Sequence, residues 1–211
     1  MAISINTSFV NGQKFLIRSS DSSSTQLQTA LMRVGEEIGK VIVERYFMDR
    51  KNIRTPMNED VIAIVPKVPL CAIVSTKDDF EFLGKGLSRI LENSVNGYMD
   101  FEGRRGREAL NSHIAHMELP EAKGQSVHTL VIAKAVLATG CTAVHLAKTA
   151  QKKYMPRNIL IVSVFYSEKG VLELQHEVPN ADIVVVGKPD SVDENGMLTP
   201  GVGNLDQRLK A

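Results

Sequence analysis

Apolar residues recur at helical spacing between positions 26 and 46, at Leu27, Leu31, Val34, Ile38, Val41 and Ile42, and predict an amphipathic helix there. The polar run before it, SSDSSST at 19–25, reads as a loop that supplies the helix N-cap. Short runs rich in β-branched residues predict strands at 60–64, 69–74, 96–101, 129–137, 158–165 and 183–186. Helical patterns at 82–93, 144–152 and 169–177 fall between the later runs. Strands alternating with helices predict an α/β fold, a mostly parallel sheet flanked by helices. The chain has 211 residues, enough for one well-cored domain, and no repeat or long linker divides it.

Composition narrows the partners. Charged residues make up 23% of the chain and the net charge is +1, so no whole-protein field points to a nucleic-acid polymer or an anionic membrane. The apolar runs fall short of the roughly 18 residues of a membrane span. Two cysteines far apart, Cys71 and Cys141, imply no disulfide framework and fit a reducing cytoplasm. The first residues, MAISINTSFVNGQKF, lack the basic-then-apolar pattern of a signal peptide.

The most informative stretch is the strand at 129–137, then ATGCTA at 138–143, then a helix. Such a turn suits an anion, because the first N–H groups of a helix lack internal partners and the helix dipole favours negative charge. Thr139 and Thr142 bring hydroxyl donors, Gly140 lets the backbone approach a phosphate, and Ala138 and Cys141 are small. A plain strand-to-helix turn with an N-cap threonine would read the same way in isolation.

The surroundings add meaning. The run VLATGCTAVHLAKTAQKK resembles the loop that binds 5-phosphoribosyl-1-pyrophosphate (PRPP) in uracil phosphoribosyltransferases. Downstream, NILIVSVFYSEKGVLELQHEVPNADIVVV resembles the family's next strand, its Glu-Gly helix start and its Pro-x-x-Asp lead into a further strand. The C-terminal DENGMLTPGVGNLDQRL resembles its base-recognition segment, closing on an arginine. Upstream, REALNSHIAHMELP keeps the frame of a hairpin that covers the active site, and Arg18, Asp21 and Thr25 match an N-terminal pattern. Five pieces in the right order, from about residue 10 onward, mark a resemblance to a diverged family member.

That resemblance implies a type I phosphoribosyltransferase-like fold in one domain over 1–211, with an N-terminal arm at 1–25 and a small β-hairpin hood within 96–128. It implies a transferase that moves a phosphoribosyl group from a PRPP-type donor to a pyrimidine or similar ring. Uracil attacks C1 of PRPP, pyrophosphate leaves, and catalysis rests on positioning and electrostatics. Residues 138–142 would cradle the 5-phosphate. Leu198 and Gly203 would offer backbone contacts to the base, with Asn204 and Leu205 beside it. Mg²⁺ is the cofactor the family brings, although no metal ligand is assigned here. A homodimer is the expected assembly.

The departures are specific. Lys134 stands where the family has an acid that accepts from the ribose hydroxyls, and an ammonium only donates. Asn204 and Gln207 stand where two further acids are expected, with Asp206 one position off. The pyrophosphate-gripping arginine after the strand at 69–74 is absent, since none occurs between Ala72 and Ser88. Lys77 and Lys85 are the nearby cations, and lysine does not reproduce arginine's bidentate grip. These losses fall on the ribose and pyrophosphate half of the ligand.

Lys134 and Arg105 are therefore the catalytic candidates, both as anion contacts. Lys134 either lines the cleft or ends a strand at solvent. Arg104, Arg105 and Arg107 read as a phosphate clamp or as a solvated loop. His113 and His116 sit on the expected hairpin and make a poor metal pair, and Asp78, Asp79 and Glu81 read as a helix start more readily than as a Mg²⁺ site. Two other readings share the fold: a non-catalytic nucleotide sensor, and an enzyme of different chemistry with Lys134 as base or nucleophile.

Overall fold

The structure is a computed structural model that describes residues 2–102, 114–122 and 124–210. Strand β1 (Ala2–Ile5) and helix α1 (Ser8–Arg18) open the chain. Helix α2 (Ser24–Tyr46) starts behind a capping box, in which the Ser23 side chain accepts from the Gln26 N–H and the Gln26 side chain accepts from the Ser23 N–H. Strands β2 (Met48–Arg54) and β3 (Asp60–Pro66) form a hairpin, and β4 (Cys71–Thr76) leads into α3 (Lys77–Asp79), a π-helical turn (Phe80–Gly84) and α4 (Lys85–Ile90). Then come β5 (Ser94–Asp100), β6 (His116–Glu118), β7 (Thr129–Ala133), β8 (Val136–Leu137) and α5 (Cys141–Tyr154). The chain continues through β9 (Asn158–Ser163), β10 (Phe165–Tyr166), α6 (Glu168–Glu177) and β11 (Ala181–Val186). It ends with β12 (Ser191–Val192), β13 (Leu198–Thr199) and α7 (Leu205–Arg208).

A seven-stranded sheet has the order β1-β11-β9-β7-β4-β5-β6, parallel throughout except for the antiparallel β5–β6 pair. Side chains alternate between its faces. Val131 and Ala133 of β7 enter the core beneath α1, α2 and α4, while Leu130 and Ile132 enter the core beneath α5 and α6. Both faces are thus covered, which is why the strands read as near-continuous apolar runs.

Several elements differ from the sequence pattern. The apolar run 129–137 is two strands, because the chain leaves the main sheet at Lys134. There the Ala135 carbonyl accepts from the Val164 and Phe165 N–H groups, and β8 pairs with β10 in a separate two-stranded sheet. Residues 1–25 contain the edge strand β1 and the helix α1, whose buried face includes Gln13 and Lys14 beside Val10 and Ile17. Two buried polar residues hide that helix from a reading of apolar spacing. The hairpin β2–β3 pairs from Met48↔Pro66 to Arg54↔Asp60, and its β2 carries no apolar alternation to announce it.

Helices α2 and α4 pack at backbone distance. A Cβ on Gly86 would lie 2.2 Å from the Met32 carbonyl oxygen, and one on Gly35 would lie 2.6 Å from that of Leu83. Gly86→Ala should therefore destabilise the fold by about 1–3 kcal/mol. Urea unfolding would read this as a lower midpoint at unchanged slope, and an unchanged midpoint would refute it.

Candidate functional site

Strand order reverses between β7 and β4. From β4 the chain crosses to β5 on one side, and from β7 it crosses to β9 and β11 on the other. In an open α/β sheet such a switch point leaves a crevice at the carboxyl ends of the strands. Here a cavity of about 850 Å³ opens there, lined among others by Thr76, Lys134, Thr139, Thr142, Leu198 and Leu205.

The 138–142 loop forms one wall. Gly140 adopts φ +81 and caps α5, and a Cβ on it would lie 2.8 Å from the Gly170 carbonyl oxygen. Only glycine serves at that position. The loop is clamped onto the start of α6. Ser167 donates its N–H to the Leu137 carbonyl (3.0 Å) and its hydroxyl to the Ala138 carbonyl, while its Oγ accepts from the Gly170 N–H (2.9 Å). Within α5 the first intrahelical bond from this end runs from the Val144 N–H to the Gly140 carbonyl (3.0 Å). The N–H groups of residues 141–143 precede it and suit an anion. Thr139 and Thr142 are half-buried, and Cys141 is buried. Lys169, on the first turn of α6, also lines the cavity. The sequence reading overlooked it, because its place beside the loop arises only from the clamp.

Opposite this wall is the C-terminal segment. Leu198 lies on β13, Gly203 has φ +64, and Leu205 is buried at the start of α7. All three line the cavity. Asn204 lies between the last two as the N-cap of α7, its side chain accepting from the Gln207 N–H (3.3 Å). A pair of arginines holds the segment in place. Arg18 donates to the Gly201 carbonyl (2.8 Å) and pairs with Asp190 at 2.6 Å. Arg208 donates to the carbonyls of Val202 and Ile17, both at 2.8 Å. Lys14 anchors the same region through the carbonyls of Val186 (2.6 Å) and Lys188 (3.1 Å). Burial, then the charge of Arg18, pulls its pKa down to about 8.

At the switch point itself lies an ion pair. Lys134 Nζ sits 2.6 Å from Asp79 Oδ2, with the lysine side chain 16% exposed and the carboxylate 2% exposed. The same Oδ2 accepts from Thr76 Oγ1 at 2.9 Å. Lys134 is thus a wall of the cleft, tied to the end of β4. Two more acids on this side are paired with lysines, Asp100 with Lys77 at 3.0 Å and Asp78 with Lys210 at 2.8 Å. The Glu102 N–H, helped by Lys77, holds the Asp100 carboxyl below its usual range. A Mg²⁺ ion needs several oxygen ligands in octahedral array. Among the described residues no group of three or more His, Cys, Asp or Glu side chains is placed to hold a metal. These carboxylates, each committed to an ammonium, do not fit the ion. Arg104, Arg105, Arg107 and His113 lie outside the described residues.

Comparison with known proteins identifies the architecture. The family model for uracil phosphoribosyltransferase matches residues 4–209. The chain belongs to that family. The uracil phosphoribosyltransferase of Haloarcula marismortui is 26% identical over 199 residues, covering 91% of this chain and 88% of the relative. That of Aquifex aeolicus is 26% identical over 202 residues, covering 92% and 90%. These low identities make this chain a diverged member. The structure of the AQ2163 protein from Aquifex aeolicus superposes with a TM-score of 0.79 at 23% identity, covering 99% of this chain and 97% of that one. Adenine phosphoribosyltransferase from Trypanosoma brucei gives a TM-score of 0.51 at 12% identity over 96% of this chain and 87% of that one, which shows the shared fold. The fold class is therefore that of the type I phosphoribosyltransferases.

If Thr142 donates to a phosphate oxygen, Thr142→Ala should weaken nucleotide monophosphate binding by about 1 kcal/mol or more. Calorimetric titration of UMP checks this, and equal affinities would remove Thr142 from the site.

Proposed function

We propose that the chain is a cytoplasmic phosphoribosyltransferase-type protein that binds a phosphorylated ribose and transfers the phosphoribosyl group from a PRPP-type donor to a pyrimidine or similar ring, with a rebuilt ribose and pyrophosphate side. One observation carries the reading: the 138–142 turn and the 198–205 segment face one cavity at the sheet's switch point. A 5-phosphate at the first turn of α5 would leave a base within reach of Leu198, Gly203 and Leu205. Asn204 would shape that loop by capping α7. Arg105 belongs to the proposal as an anion contact on sequence grounds alone.

Lys134 supports the qualification. In the acid's place stands a donor, already bonded to Asp79, so the ribose hydroxyls of PRPP lose an acceptor. The same observation favours a second reading, a sensor of nucleoside monophosphates without turnover. Assaying UMP formation from uracil and PRPP separates the ordinary family activity from both. We expect turnover below about 1 per second, and a rate in the common range of roughly 1 to 1000 per second would show the rebuilt side to be immaterial.

Pairing of two copies is part of the proposal. The hairpin β2–β3 is a two-stranded sheet on its own, and Ile62 and Ile64 on it are 59% and 71% exposed. An isolated hairpin is marginal in water, so a cover from a second copy would stabilise it. Light scattering on the parent should give twice the chain mass, and Ile62→Glu combined with Ile64→Glu should give the single-chain mass. A parent at single-chain mass would end this part of the proposal.

A further inference from the structure

The Lys134–Asp79 pair is more than a lost acid. A buried pair contributes no net charge, yet this one is oriented. Its carboxylate is the deep end, 2% exposed and bonded to Thr76 Oγ1 as well as to Lys134, and its ammonium is the end that lines the cavity. The cleft therefore meets the positive end of a fixed dipole. A lysine ammonium has three N–H donors, and the bond to Asp79 uses one of them. The pair also stands at the switch point, where β7 and β4 deliver their ends to the crevice. The other acids on that wall, Asp78 and Asp100, are matched by Lys210 and Lys77. A divalent cation entering at this wall would meet carboxylates already paired with ammonium groups, and although Glu194 and Asp206 also line the cavity, no three such side chains among the described residues are grouped to hold it.

We propose that Lys134, held by Asp79, is a resident counter-cation of the cleft, taking the anionic oxygens on the ribose side of the ligand, so that ligand binding needs no divalent metal. The inference rests on the reading that this cleft takes a phosphorylated ribose. It also accounts for the departure at position 134. An acid at position 134 would call for a cation from solution, whereas a lysine there, neutralised from behind by a carboxylate after β4, makes that cation part of the chain.

The test is calorimetric titration of PRPP, whose 1-pyrophosphate puts anionic oxygens beside the ribose, into the full chain, once with EDTA and once with millimolar magnesium chloride. We expect dissociation constants within about twofold of each other in the two buffers. Binding that appears only with magnesium, or tightens tenfold with it, overturns the inference and leaves the functional reading standing. Absence of binding in both buffers removes the functional reading and the inference with it. Lys134→Asp places two carboxylates face to face. It should lose at least tenfold in affinity in EDTA, recover with magnesium, and gain a magnesium-dependent rise in melting temperature that the parent lacks. Unchanged affinity in both buffers would overturn the inference. Should that variant fail to fold, Lys134→Met combined with Asp79→Asn removes both charges and leaves no unpaired ion. It should lose at least tenfold in affinity in either buffer, and parental affinity would again overturn the inference.

Discussion

The crossovers from β4 and β7 leave in opposite directions, and most of what the molecule presents to a ligand depends on that reversal. Parallel strands need long returns across a face of the sheet. Where two such returns diverge, the strand ends between them open onto a crevice. The residues that follow β4 and β7 are brought to its rim by chain direction alone. Thr76 and Asp79 arrive from one side and Lys134 and the 138–142 turn from the other.

At that rim the energetics turn on pairing. A carboxylate as deeply buried as Asp79 is costly to desolvate, and removing its partner is worse than never having had the pair. Lys134 and the Thr76 hydroxyl both supply hydrogen bonds to it. The exposed pairs on the same wall, such as Lys77 with Asp100, contribute little to stability by comparison, but they set the local charge.

The far wall depends on the N-terminal helix. Arg18 and Arg208 donate to the carbonyls of Gly201 and Val202, and Gly201 sits so tightly that a Cβ on it would lie 2.1 Å from the Leu198 carbonyl oxygen. Arginine suits this work because its planar fork meets several acceptors at once, and Arg18 also lies over the Phe165 ring at 4.9 Å. The 198–205 wall is thus held by residues far away in sequence, among them Arg18, which Asp190 braces in turn.

The sequence by itself determined the alternation of strands and helices, the small-residue turn around Gly140, the Leu198 to Leu205 segment and the family resemblance. Each is a local matter of periodicity, of a left-handed glycine, or of residue order along one stretch. It also marked Lys134 as anomalous, since the adjacent LATG run sets its register. It left open whether that lysine faces the cleft or solvent, because nothing near it in sequence names a partner. Tertiary structure decided this by bringing Asp79 from 55 residues away. It likewise decided that 129–137 breaks at Lys134, that α1 belongs to the core despite its buried Lys14, and that Lys169 lines the same cavity as the 138–142 turn. Each of these depends on which strand ends become neighbours, and sheet order is a property of the whole chain.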